Sequence, residues 1–438
     1  MKVLKFGGTS IGDAARMLNV AEIVTKQKTV LVVLSAVNGT TNTLQSIVEA
    51  VRKSDSPSAN SLIKEMNEFY DIFTDELFST DSSKTHANEY ISTVLSEVSE
   101  IVQKKFTTSL QYRLLAMGEM ISTELFHLLL NEHGVKNRLL NALDFLRLDQ
   151  SNNPDENFLT QELSKLTTDS SNNLVMITQG TICRNAFGEI SNLNRGGSDY
   201  SASLFGAALN CEEIQIWTEI DGMHNNDPRF VENTSAIREL SFDEAAELAY
   251  FGAKILHPSS IKPARKQNIP VKLLSGLDVS ATGTIISSNI SRGCIKAIAS
   301  KAGITAIKIR SSEMLEAPGF LRRIFEIFEL YQTSIDMITT SEVAVSLTVD
   351  DTQHLPAIIE TLREFGSVEI DENLSLVCIV GGYIAETTGL VSKVIRSLED
   401  IPIRMISYGG SAHNISVLVS EEHKVKALNA LHKRLLDV

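Results

Sequence analysis

Cysteine is scarce in this chain of 438 residues, and its four cysteines lie far apart. They include no CxxC pair, so the sequence indicates neither a disulfide framework nor a zinc site. We therefore expect buried thiols at Cys183, Cys211, Cys294 and Cys378.

Long apolar runs and an excess of positive charge are also missing. No run approaches the roughly 18 apolar residues of a membrane span, and a predicted strand begins too near the N-terminus for a signal peptide. The chain has 40 Lys and Arg against 54 Asp and Glu, a formal net charge of −14. Because nucleic acids and anionic membranes both bind to basic surfaces, we expect neither as a partner. These features predict a cytoplasmic protein that concentrates cations locally wherever it binds an anion.

Two well-known phosphate-binding motifs are absent from the N-terminal stretch MKVLKFGGTSIGD. Gly7 and Gly12 have the spacing of GxxxxGKS/T, but the Lys and the Ser or Thr that should follow are missing, and there is no GxGxxG. Any phosphate site here must therefore belong to a different fold.

The same stretch nevertheless has the local features of an anion site. Lys2–Phe6 is predicted to be a strand, with a short loop from Gly7 and a helix from Ala14 that has Asp13 as its N-cap. Backbone N–H groups in such a loop and the helix dipole favour phosphate, which Lys5 could reach from the end of the strand. On this stretch alone, an ordinary turn beside a solvated lysine is an equal alternative.

Alternating strands and helices follow. The length suggests two to three domains, and 43% hydrophobic and 21% charged residues are typical of a globular protein. The segment from Ser54 to Lys105 is polar and helical in pattern, so we interpret it as a helical insertion. Apolar strands, typical of an α/β sheet that helices cover on both faces, are predicted at Val30–Leu34, Leu174–Thr178, Ile214–Trp217 and, as the last, Ile269–Leu274.

The last third of the chain contains an internal repeat. The segment from Ser275 to Gly303 is rich in Ser, Gly and Thr, as expected of a linker between domains. Two similar β-α-β-β units follow it, with Gly319 before the helix of the first and Gly389 before the helix of the second. Such a repeat predicts a pair of small α+β modules.

Four further motifs contain residues of chemical interest, although each alone has an ordinary explanation. NRGGSD contains Arg195 and also Asp199, which is favourable simply as an acid in the first turn of a helix. GEMIST contains Glu119, and when this motif is taken alone a solvated acid on a helix surface is the simpler explanation. WTEIDGMHNNDPR has the composition of a loop, and Lys254 in FGAKILHP could be an ordinary surface lysine. The order and identity of these motifs together point to one family.

With KFGGTS, these motifs make the chain resemble the aspartokinases, members of the amino-acid kinase fold, over essentially its whole length. The resemblance implies an α/β kinase domain over residues 1–290 and two ferredoxin-like ACT modules over residues 303–370 and 371–438. It also implies that the second module is inserted within the first. The first module could then include the C-terminal segment of the chain. In that family ATP phosphorylates the side-chain carboxylate of L-aspartate, the first step of lysine, threonine and methionine biosynthesis. Because this carboxylate is already ionised at neutral pH, no general base is expected.

The resemblance assigns phosphoryl-transfer roles to three residues of KFGGTS. Lys5 would contact the transferring phosphoryl group, while Gly7 and Gly8 let the backbone approach it. Asp199 is placed in the catalytic site as well as in the aspartate site. The nucleotide would be ATP with Mg²⁺, and no set of metal ligands on the protein is predicted.

The resemblance also implies how both substrates bind. Arg195 would pair with the α-carboxylate of aspartate, Asp199 and Glu119 with its ammonium group, and Ser35 and Thr41 would line the pocket. The nucleotide contacts would be Lys5, Thr218, Glu219, His224, Arg229 and Lys254.

Three positions of WTEIDGMHNNDPR depart from the family pattern. Glu219 replaces the usual Asp, His224 a common Tyr and Asn226 the usual Thr. These departures leave the affinity for ATP open.

The stretches SSEMLEAPGFLRRIFEIF and SIDMITTSEVAVSL resemble the effector site of lysine-inhibited aspartokinases. Backbone N–H groups at Gly319 and Phe320 would hold an α-carboxylate, and Asp336 and Glu342 a cationic side chain. Ala317 replaces a serine that is common there. The matching residues are Met314, Phe320, Leu321, Asp336, Thr340, Ser341 and Glu342.

We therefore expect L-lysine to inhibit the enzyme, with threonine as the leading alternative effector. A solvated strand end and turn would explain the same residues without an effector. Because ACT modules usually associate with one another, a homodimer or a dimer of dimers is expected.

Two other functional classes stay open on the sequence. A related kinase that acts on another acid, such as acetylglutamate, would keep the phosphate loops but should lack the ACT pair and NRGGSD. A non-catalytic amino-acid sensor would keep the ACT modules but lose the phosphate lysine, whereas Lys5, Arg195 and Asp199 are all present.

Overall fold

The computed structural model describes residues 1–167, 174–193, 196–252, 256–314 and 317–437. The chain forms two compact units, each built from two segments: residues 1–223 with 256–288, and residues 224–255 with 289–438. Within the described ranges, no helix is both long and apolar enough to cross a lipid bilayer.

The first unit is an α/β structure whose main sheet is mixed. Its strands are β1 (Lys2–Phe6), β2 (Val30–Leu34), β3 (Asn137–Leu140), β4 (Val175–Gln179), β5 (Ile182–Arg184), β6 (Ile190–Asn192), β7 (Glu213–Thr218), β9 (Val271–Ser275) and β10 (Thr284–Ser287). Seven of them are neighbours in the order β3-β4-β2-β1-β7-β9-β10. All are parallel except β10, which pairs antiparallel with β9, and β5 and β6 form a separate hairpin.

The helices of the first unit cover this sheet. They are α1 (Ala14–Thr25), α2 (Thr40–Arg52), α3 (Ser56–Leu77), α4 (Asp81–Val102), α5 (Thr108–Glu132), α6 (Glu156–Thr167), α7 (Gly197–Ala208) and α9 (Lys262–Lys266). Asp13 caps α1 by accepting a hydrogen bond from the N–H of Arg16, as predicted. The predicted helical insertion is confirmed as α3 and α4, whose apolar faces share one core with α1, α2 and α5.

The second unit is built around an antiparallel sheet. The strands of this unit are β8 (Glu239–Ser241), which is not part of that sheet, and β11 (Ile295–Arg310), β12 (Met337–Thr340), β13 (Ala344–Val349), β14 (Ser367–Gly381), β15 (Met405–Tyr408) and β16 (Asn414–Ser420). Its helices are α8 (Phe242–Tyr250), α10 (Phe320–Leu330), α11 (Leu355–Leu362), α12 (Leu390–Ser397) and α13 (Lys424–Leu435). Six strands lie in the order β12-β13-β11-β14-β16-β15.

The internal repeat is confirmed. The series β11-α10-β12-β13-α11 is followed by β14-α12-β15-β16-α13. The two glycines that the repeat aligned are both helix N-caps in the left-handed region, with φ of +88° at Gly319 and +80° at Gly389. Glycine adopts this conformation without the strain that a Cβ brings, which explains why both copies have it.

Two long strands join the two halves of the repeat. Ile307 and Ile309 of β11 pack with α10 and α11 in one apolar core, the first lobe, whereas Ile298 packs with α12 and α13 in another, the second lobe. The pairing of β11 with β14 follows the same division. The first lobe therefore lies in the chain between two parts of the second lobe, which is the reverse of the expected nesting. The domain limits given above stay a prediction.

Three further expectations from the sequence were wrong. The segment from Ser275 to Gly303 is not only a linker, because it contains β10 and the first half of β11, and β9 is therefore not the last strand. In β10 only alternate side chains are buried. Its polar residues therefore interrupt the continuous apolar run by which the other strands were recognised in the sequence. Cys294 is exposed, whereas the other three cysteines are buried as expected.

Candidate active site

The carboxyl ends of the parallel strands in the first unit meet at one edge of the sheet, and the loops that follow them carry predicted site residues. The last residues of β4, β2 and β1 lie in one row with the penultimate residue of β7: Gln179, Leu34, Phe6 and Trp217. The loops that begin after this row are therefore adjacent. In open α/β sheets, ligands bind outside this edge.

Lys5 and Asp199 form a buried ion pair at this edge. The Lys5 Nζ lies 2.6 Å from Oδ1 of Asp199, and the two side chains are only 11% and 17% exposed. Lys5 comes from the end of β1 and Asp199 from the first turn of α7. Asp199 is therefore more than a favourable first-turn acid, because removing either partner would leave a buried charge uncompensated.

Gly8 is required by the closeness of its neighbour, and Gly7 leaves open space beside Lys5. A Cβ atom on Gly8 would lie 2.7 Å from the carbonyl oxygen of Ala36, in the loop after β2. A Cβ atom on Gly7 would lie 3.4 Å from the Lys5 Nζ. A side chain at position 8 would therefore push the loops after β1 and β2 apart, whereas one at position 7 would only come into van der Waals contact with the Lys5 ammonium group.

Ser35 is hydrogen-bonded to serines of two other elements at the same edge. Its Oγ lies 2.8 Å from the Oγ of Ser198, the residue before Asp199. Its carbonyl oxygen accepts a hydrogen bond from the Ser122 hydroxyl at 2.8 Å, which links the loop to α5. Gly180 allows this approach, since a Cβ atom there would lie 2.4 Å from the Cβ of Ser198.

Glu119 is buried in α5 rather than solvated, with 4% exposure. Its carboxylate accepts hydrogen bonds from the Thr181 N–H at 2.7 Å and the Thr181 hydroxyl at 2.9 Å, just beyond β4. Burial raises the pKa of Glu119, and hydrogen bonds from Thr181, Ile182 and Gly180 offset only part of this effect. The loop after β4 thus holds an acid at the same edge as Lys5.

Three other predicted residues of the first unit are more exposed. Thr41 lies on the surface at the start of α2. The Thr218 hydroxyl accepts a hydrogen bond from the Ile220 N–H at 3.1 Å. Glu219 is paired with Arg16 of α1 at 3.4 Å, an exposed contact that contributes little stability.

His224 and Arg229 belong to the second unit. Nδ1 of His224 lies 3.2 Å from the Thr234 hydroxyl. The guanidinium of Arg229 forms an ion pair with the carboxylate of Asp227, with 2.6 Å between Nη2 and Oδ2. This pairing holds the pKa of the Asp227 carboxyl below its usual range. Asn226 is buried and donates to the carbonyl oxygen of Leu428 on α13 at 3.4 Å, so this departure from the family pattern has a packing role.

Arg195 and Lys254 lie outside the described residues, and their roles stay predictions.

The predicted effector residues are divided between the core and the surface of the first lobe. Phe320 is buried in the core, and Met314 and Leu321 pack against it. Thr340 and Ser341 line an open cavity of about 480 Å³ together with Lys308 and Arg310. Glu342 is exposed.

Asp336 lies at the opposite end of β12 from Thr340, roughly 13 Å away along an extended strand. Its side chain is 1% exposed and its Oδ1 lies 2.9 Å from Nζ of Lys301. The hydroxyl of Tyr250 donates to the same oxygen at 2.8 Å. The acid expected to meet an effector therefore already has an internal ammonium partner.

Four residues beside these sites were not singled out from the sequence. They are Thr181, Ser198, Tyr250 and Lys301. A signal existed for the first two, because Thr181 follows an apolar strand in the same way as Ser35, and Ser198 lies inside NRGGSD. Nothing in the sequence marks Tyr250 or Lys301, since their partners are distant in the chain.

Comparison with protein families agrees with this architecture. Residues 1–275 match the amino acid kinase family, and residues 377–435 match an ACT domain. The second match falls within the second copy of the repeat. The fold and the site thus define an amino acid kinase joined to an ACT region.

Individual relatives narrow the class further. The chain is 33% identical to lysine-sensitive aspartokinase 3 of Escherichia coli, with 99% of each chain covered. It is 32% identical to chloroplastic aspartokinase 1 of Arabidopsis thaliana, covering 99% of this chain and 80% of the relative. The chain belongs to the aspartokinases, and it is an aspartate kinase, a phosphotransferase.

Solved structures agree with this assignment. E. coli aspartokinase III in complex with aspartate and ADP, described as the R-state, superposes with a TM-score of 0.85 at 32% identity, covering 99% of both chains. The same enzyme with lysine and aspartate, described as the T-state, gives 0.80 at 32% identity, covering 100% of this chain and 99% of that one. The aspartate kinase of Clostridium acetobutylicum gives a TM-score of 0.86 at 26% identity, covering 99% of this chain and 100% of that one. The expected family, fold class and activity are confirmed.

Proposed function

We propose that the reaction takes place at the carboxyl edge of the first unit's sheet, where ATP phosphorylates the β-carboxylate of L-aspartate. The buried pair of Lys5 and Asp199, 2.6 Å apart, is the observation that supports this location most directly. An oxygen of the β-carboxylate attacks the γ-phosphorus, and the bond from that phosphorus to the β,γ-bridging oxygen breaks. The products are 4-phospho-L-aspartate and ADP.

The residues at this edge suit a reaction that depends on positioning and neutralisation of charge. The Lys5 ammonium would stabilise negative charge on the transferring phosphoryl group. Asp199 would fix the position of that ammonium through their ion pair and contribute to binding the ammonium of aspartate. No side chain needs to remove a proton, because the attacking carboxylate is ionised at neutral pH.

Aspartate would be held by charges of both signs. Arg195 would pair with its α-carboxylate, and Glu119 would supply a second acid for its ammonium. Ser35 and Thr41 would line the pocket. Ser198 joins this group, because its hydroxyl is 2.8 Å from that of Ser35.

The loops fit a nucleotide that carries Mg²⁺. Gly7 and Gly8 leave room that a Cβ atom would fill, beside the Lys5 ammonium. Nucleotide sites commonly hold Mg²⁺ through the phosphates and only one or two carboxylates, and such an ion would neutralise phosphate charge. Thr218, Glu219, His224, Arg229 and Lys254 stay the proposed nucleotide contacts.

The test is an activity assay that traps the acyl phosphate with hydroxylamine, using purified protein, aspartate, ATP and Mg²⁺. Lys5→Ala should lower kcat by about two or more orders of magnitude, the scale for losing a transition-state electrostatic contact. Lys2→Ala is the matched control, because Lys2 lies on the same strand and pairs with Glu213 at the opposite end of the sheet. Activity of Lys5→Ala within tenfold of the parent would reject this role.

We also propose that L-lysine inhibits the enzyme by binding to the first lobe and favouring an inactive arrangement, with a coupling of about 1–3 kcal/mol. The support is the similarity to an E. coli enzyme solved with lysine and the acidic residue Asp336 in the matching stretch. Threonine has no cationic side chain for this acid. It therefore stays the second candidate.

Titration of lysine and of threonine against the parent distinguishes the two effectors. Asp336→Asn should weaken inhibition by lysine, whereas Asp351→Asn, an exposed neighbour of similar chemistry, should not. A parent inhibited by threonine alone, or unchanged lysine inhibition in Asp336→Asn, would contradict the proposal.

A further inference from the structure

A two-point ion pair lies in the turn formed by residues 227–230 of the second unit, which we call the Asp227 turn. Nε and Nη2 of Arg229 donate to the carboxylate of Asp227, at 2.9 Å to Oδ1 and 2.6 Å to Oδ2. The backbone N–H of Arg229 also donates to Oδ1, at 3.0 Å. One carboxylate thus fixes both the backbone and the guanidinium of Arg229.

The guanidinium of Arg229 has a second edge that faces away from Asp227. The group is planar, and the ion pair uses the edge formed by Nε and Nη2. The edge formed by Nη1 and Nη2, which we call the outer edge, keeps N–H groups that can bind a second partner. The Arg229 side chain is 74% exposed, so a ligand can reach it. Two parallel N–H groups on one edge match two oxygens of a phosphate.

The local sequence makes the Asp227 turn rigid. The carbonyl oxygen of Asp227 accepts hydrogen bonds from the N–H groups of Phe230 and Val231, at 3.1 and 3.0 Å. Pro228 occupies the second position of the turn, where its fixed φ suits this geometry. An aspartate at the first position bonds to the backbone two residues later, as Asp227 does with Arg229.

The residues on both sides of the Asp227 turn are anchored in the second lobe. Val231, which follows the turn, is 4% exposed in the apolar core that contains α12 and α13. Asn226, which precedes it, is 3% exposed. The Oδ1 of Asn226 accepts a hydrogen bond from the N–H of Asp227 at 2.9 Å, and its side-chain amide donates to the carbonyl oxygen of Leu428 on α13 at 3.4 Å. The position of the Asp227 carboxylate is therefore set by the lobe.

We propose that Asp227 is a positioning residue for the nucleotide, because it presents the outer edge of the Arg229 guanidinium to a phosphate of ATP. The ion pair removes side-chain freedom that an exposed arginine would otherwise lose on binding. The carboxylate also offsets the charge of the guanidinium, but water and salt screen that effect at an exposed site. The gain from a fixed orientation therefore outweighs the loss of attraction to phosphate. This inference rests on the proposed contact between Arg229 and the nucleotide.

The experiment measures nucleotide binding and kinetics separately on full-length protein. Calorimetry gives the Kd for the non-hydrolysable ATP analogue AMPPNP with Mg²⁺, and hydroxamate formation gives kcat and the KM values for ATP and aspartate. Asp227→Ala should raise the Kd for AMPPNP and the KM for ATP by at least about fivefold, and change the KM for aspartate by less than about twofold. Asp227→Asn keeps Oδ1 as an acceptor and should lie between Asp227→Ala and the parent. Glu232→Ala, which removes an exposed acid from the same segment, should match the parent.

A double-mutant cycle tests whether Asp227 acts through Arg229. Arg229→Met should raise the Kd for AMPPNP by about tenfold or more, because a charged hydrogen-bond donor to phosphate is lost. In the Arg229→Met background, Asp227→Ala should not change this Kd further, because no guanidinium is left to position. If thermal melts show that Asp227→Ala does not fold, Asp227→Asn takes its place in the cycle.

The possible failures are distinguishable. An unchanged Kd in Arg229→Met overturns the proposed nucleotide contact, and this inference with it. Weaker binding in Arg229→Met, together with an unchanged Kd in Asp227→Ala, overturns only the role of Asp227. Tighter binding in Asp227→Ala would show that the carboxylate competes with the phosphate, and an equal loss with and without Arg229 would show a purely structural role. Either result also overturns the inference.

Discussion

At the scale of single residues, the charges that matter in this enzyme are buried and paired with one another. Lys5 with Asp199 and Lys301 with Asp336 are ion pairs with little exposure. Burial makes each such pair dependent on both partners, because a lone charge in a poorly solvated site is strongly unfavourable. Substitution of one residue of a pair therefore removes its charge and also changes the position of the partner side chain.

Glu119 offers a test in which function and stability separate. Glu119→Gln removes the negative charge proposed to bind the ammonium of aspartate, so KM for aspartate should rise about tenfold or more. Stability at neutral pH should be kept or improved, because the buried carboxylate no longer has to ionise. Glu124→Gln is the control on the same helix, where burial also raises the pKa of the carboxyl. An unchanged KM in Glu119→Gln would exclude Glu119 from the aspartate site.

The pH dependence of stability should change in the same variant. The raised pKa of Glu119 means that the folded state holds a proton above the ordinary value of 4.5, where the unfolded state has lost it. The free energy of unfolding therefore falls as pH rises from 4.5 through the raised pKa. Thermal melts across this window should show a smaller decline for Glu119→Gln than for the parent.

At the scale of secondary-structure elements, the end of α5 is joined to the start of α4 by one carboxylate. Glu132 accepts hydrogen bonds from the N–H and hydroxyl of Ser79, at 2.9 and 2.7 Å, and from the hydroxyl of Thr80 at 2.8 Å. Burial is the largest single influence on the pKa of Glu132 and raises it, but these bonds and one to Ser83 together outweigh that effect and lower the pKa to about 2. The ionised carboxylate of Glu132 thus connects α4 of the helical insertion to the end of α5.

Glu132→Gln should lower the free energy of unfolding at pH 7 by about 1 kcal/mol, the usual cost of losing such a cap. The contribution of the carboxylate is present above its unfolded pKa of 4.5 and is lost as pH falls toward 2. The difference between parent and variant, measured by circular dichroism melts, should therefore shrink between these pH values. Glu100→Gln, an exposed site on α4, should show no difference at either pH.

The close contact between Gly252 and β11 gives another prediction at this scale. Gly252→Ala places a Cβ atom 2.1 Å from the Ser300 carbonyl oxygen and should destabilise the protein strongly. Gly303→Ala is the control, because its φ of +72° also disfavours alanine but no atom lies within 4 Å of the new Cβ. That variant should lose only about 1–2 kcal/mol of unfolding free energy from backbone strain. Equal midpoints in urea denaturation would show that the contact with Ser300 relaxes freely.

At the scale of the whole molecule, the structural units do not follow the family boundary in the sequence. Residues 224–255 lie within the stretch that matches the amino acid kinase family, yet they belong to the second unit. Val231 packs in the apolar core of the second lobe, and Glu247 of α8 accepts hydrogen bonds from Ser411 and Asn414 at 2.7 and 2.6 Å. A segment that matches the kinase family in sequence is therefore built into the second unit.

Oligomerisation is the prediction that belongs to this scale. Ile338 on β12, Val343 in the turn after it, and Ile406 and Tyr408 on β15 are large apolar side chains with 37–51% exposure. Exposed apolar groups on the end strands of a sheet are typical of association surfaces. Light scattering at micromolar concentration should therefore show a dimer or larger species, whereas the Ile338→Lys, Ile406→Lys double variant should show the 48.1 kDa monomer. Ile72→Lys on α3 is the control, and a monomeric parent with and without lysine would refute the prediction.

The sequence by itself was enough for features that depend on neighbouring residues. The strand, glycine loop and capped helix at the N-terminus follow from local patterns, and so do the helical insertion and the repeat marked by Gly319 and Gly389. The family follows from short motifs in a fixed order. Half-buried strands such as β10 were missed because alternating polar residues also occur in linkers.

The tertiary structure alone decided which charges meet and how far each is buried. Asp199 and Glu119 have ordinary explanations in the sequence, and only packing gives the first a lysine partner and places the second beneath the loop after β4. The nesting of the lobes also depends on which strand halves pair across long stretches of chain. Tyr250 and Asp336 are 86 residues apart, so no local pattern could connect them. The physical reason is that burial and electrostatic pairing depend on distances in space, whereas a sequence motif records only distances along the chain.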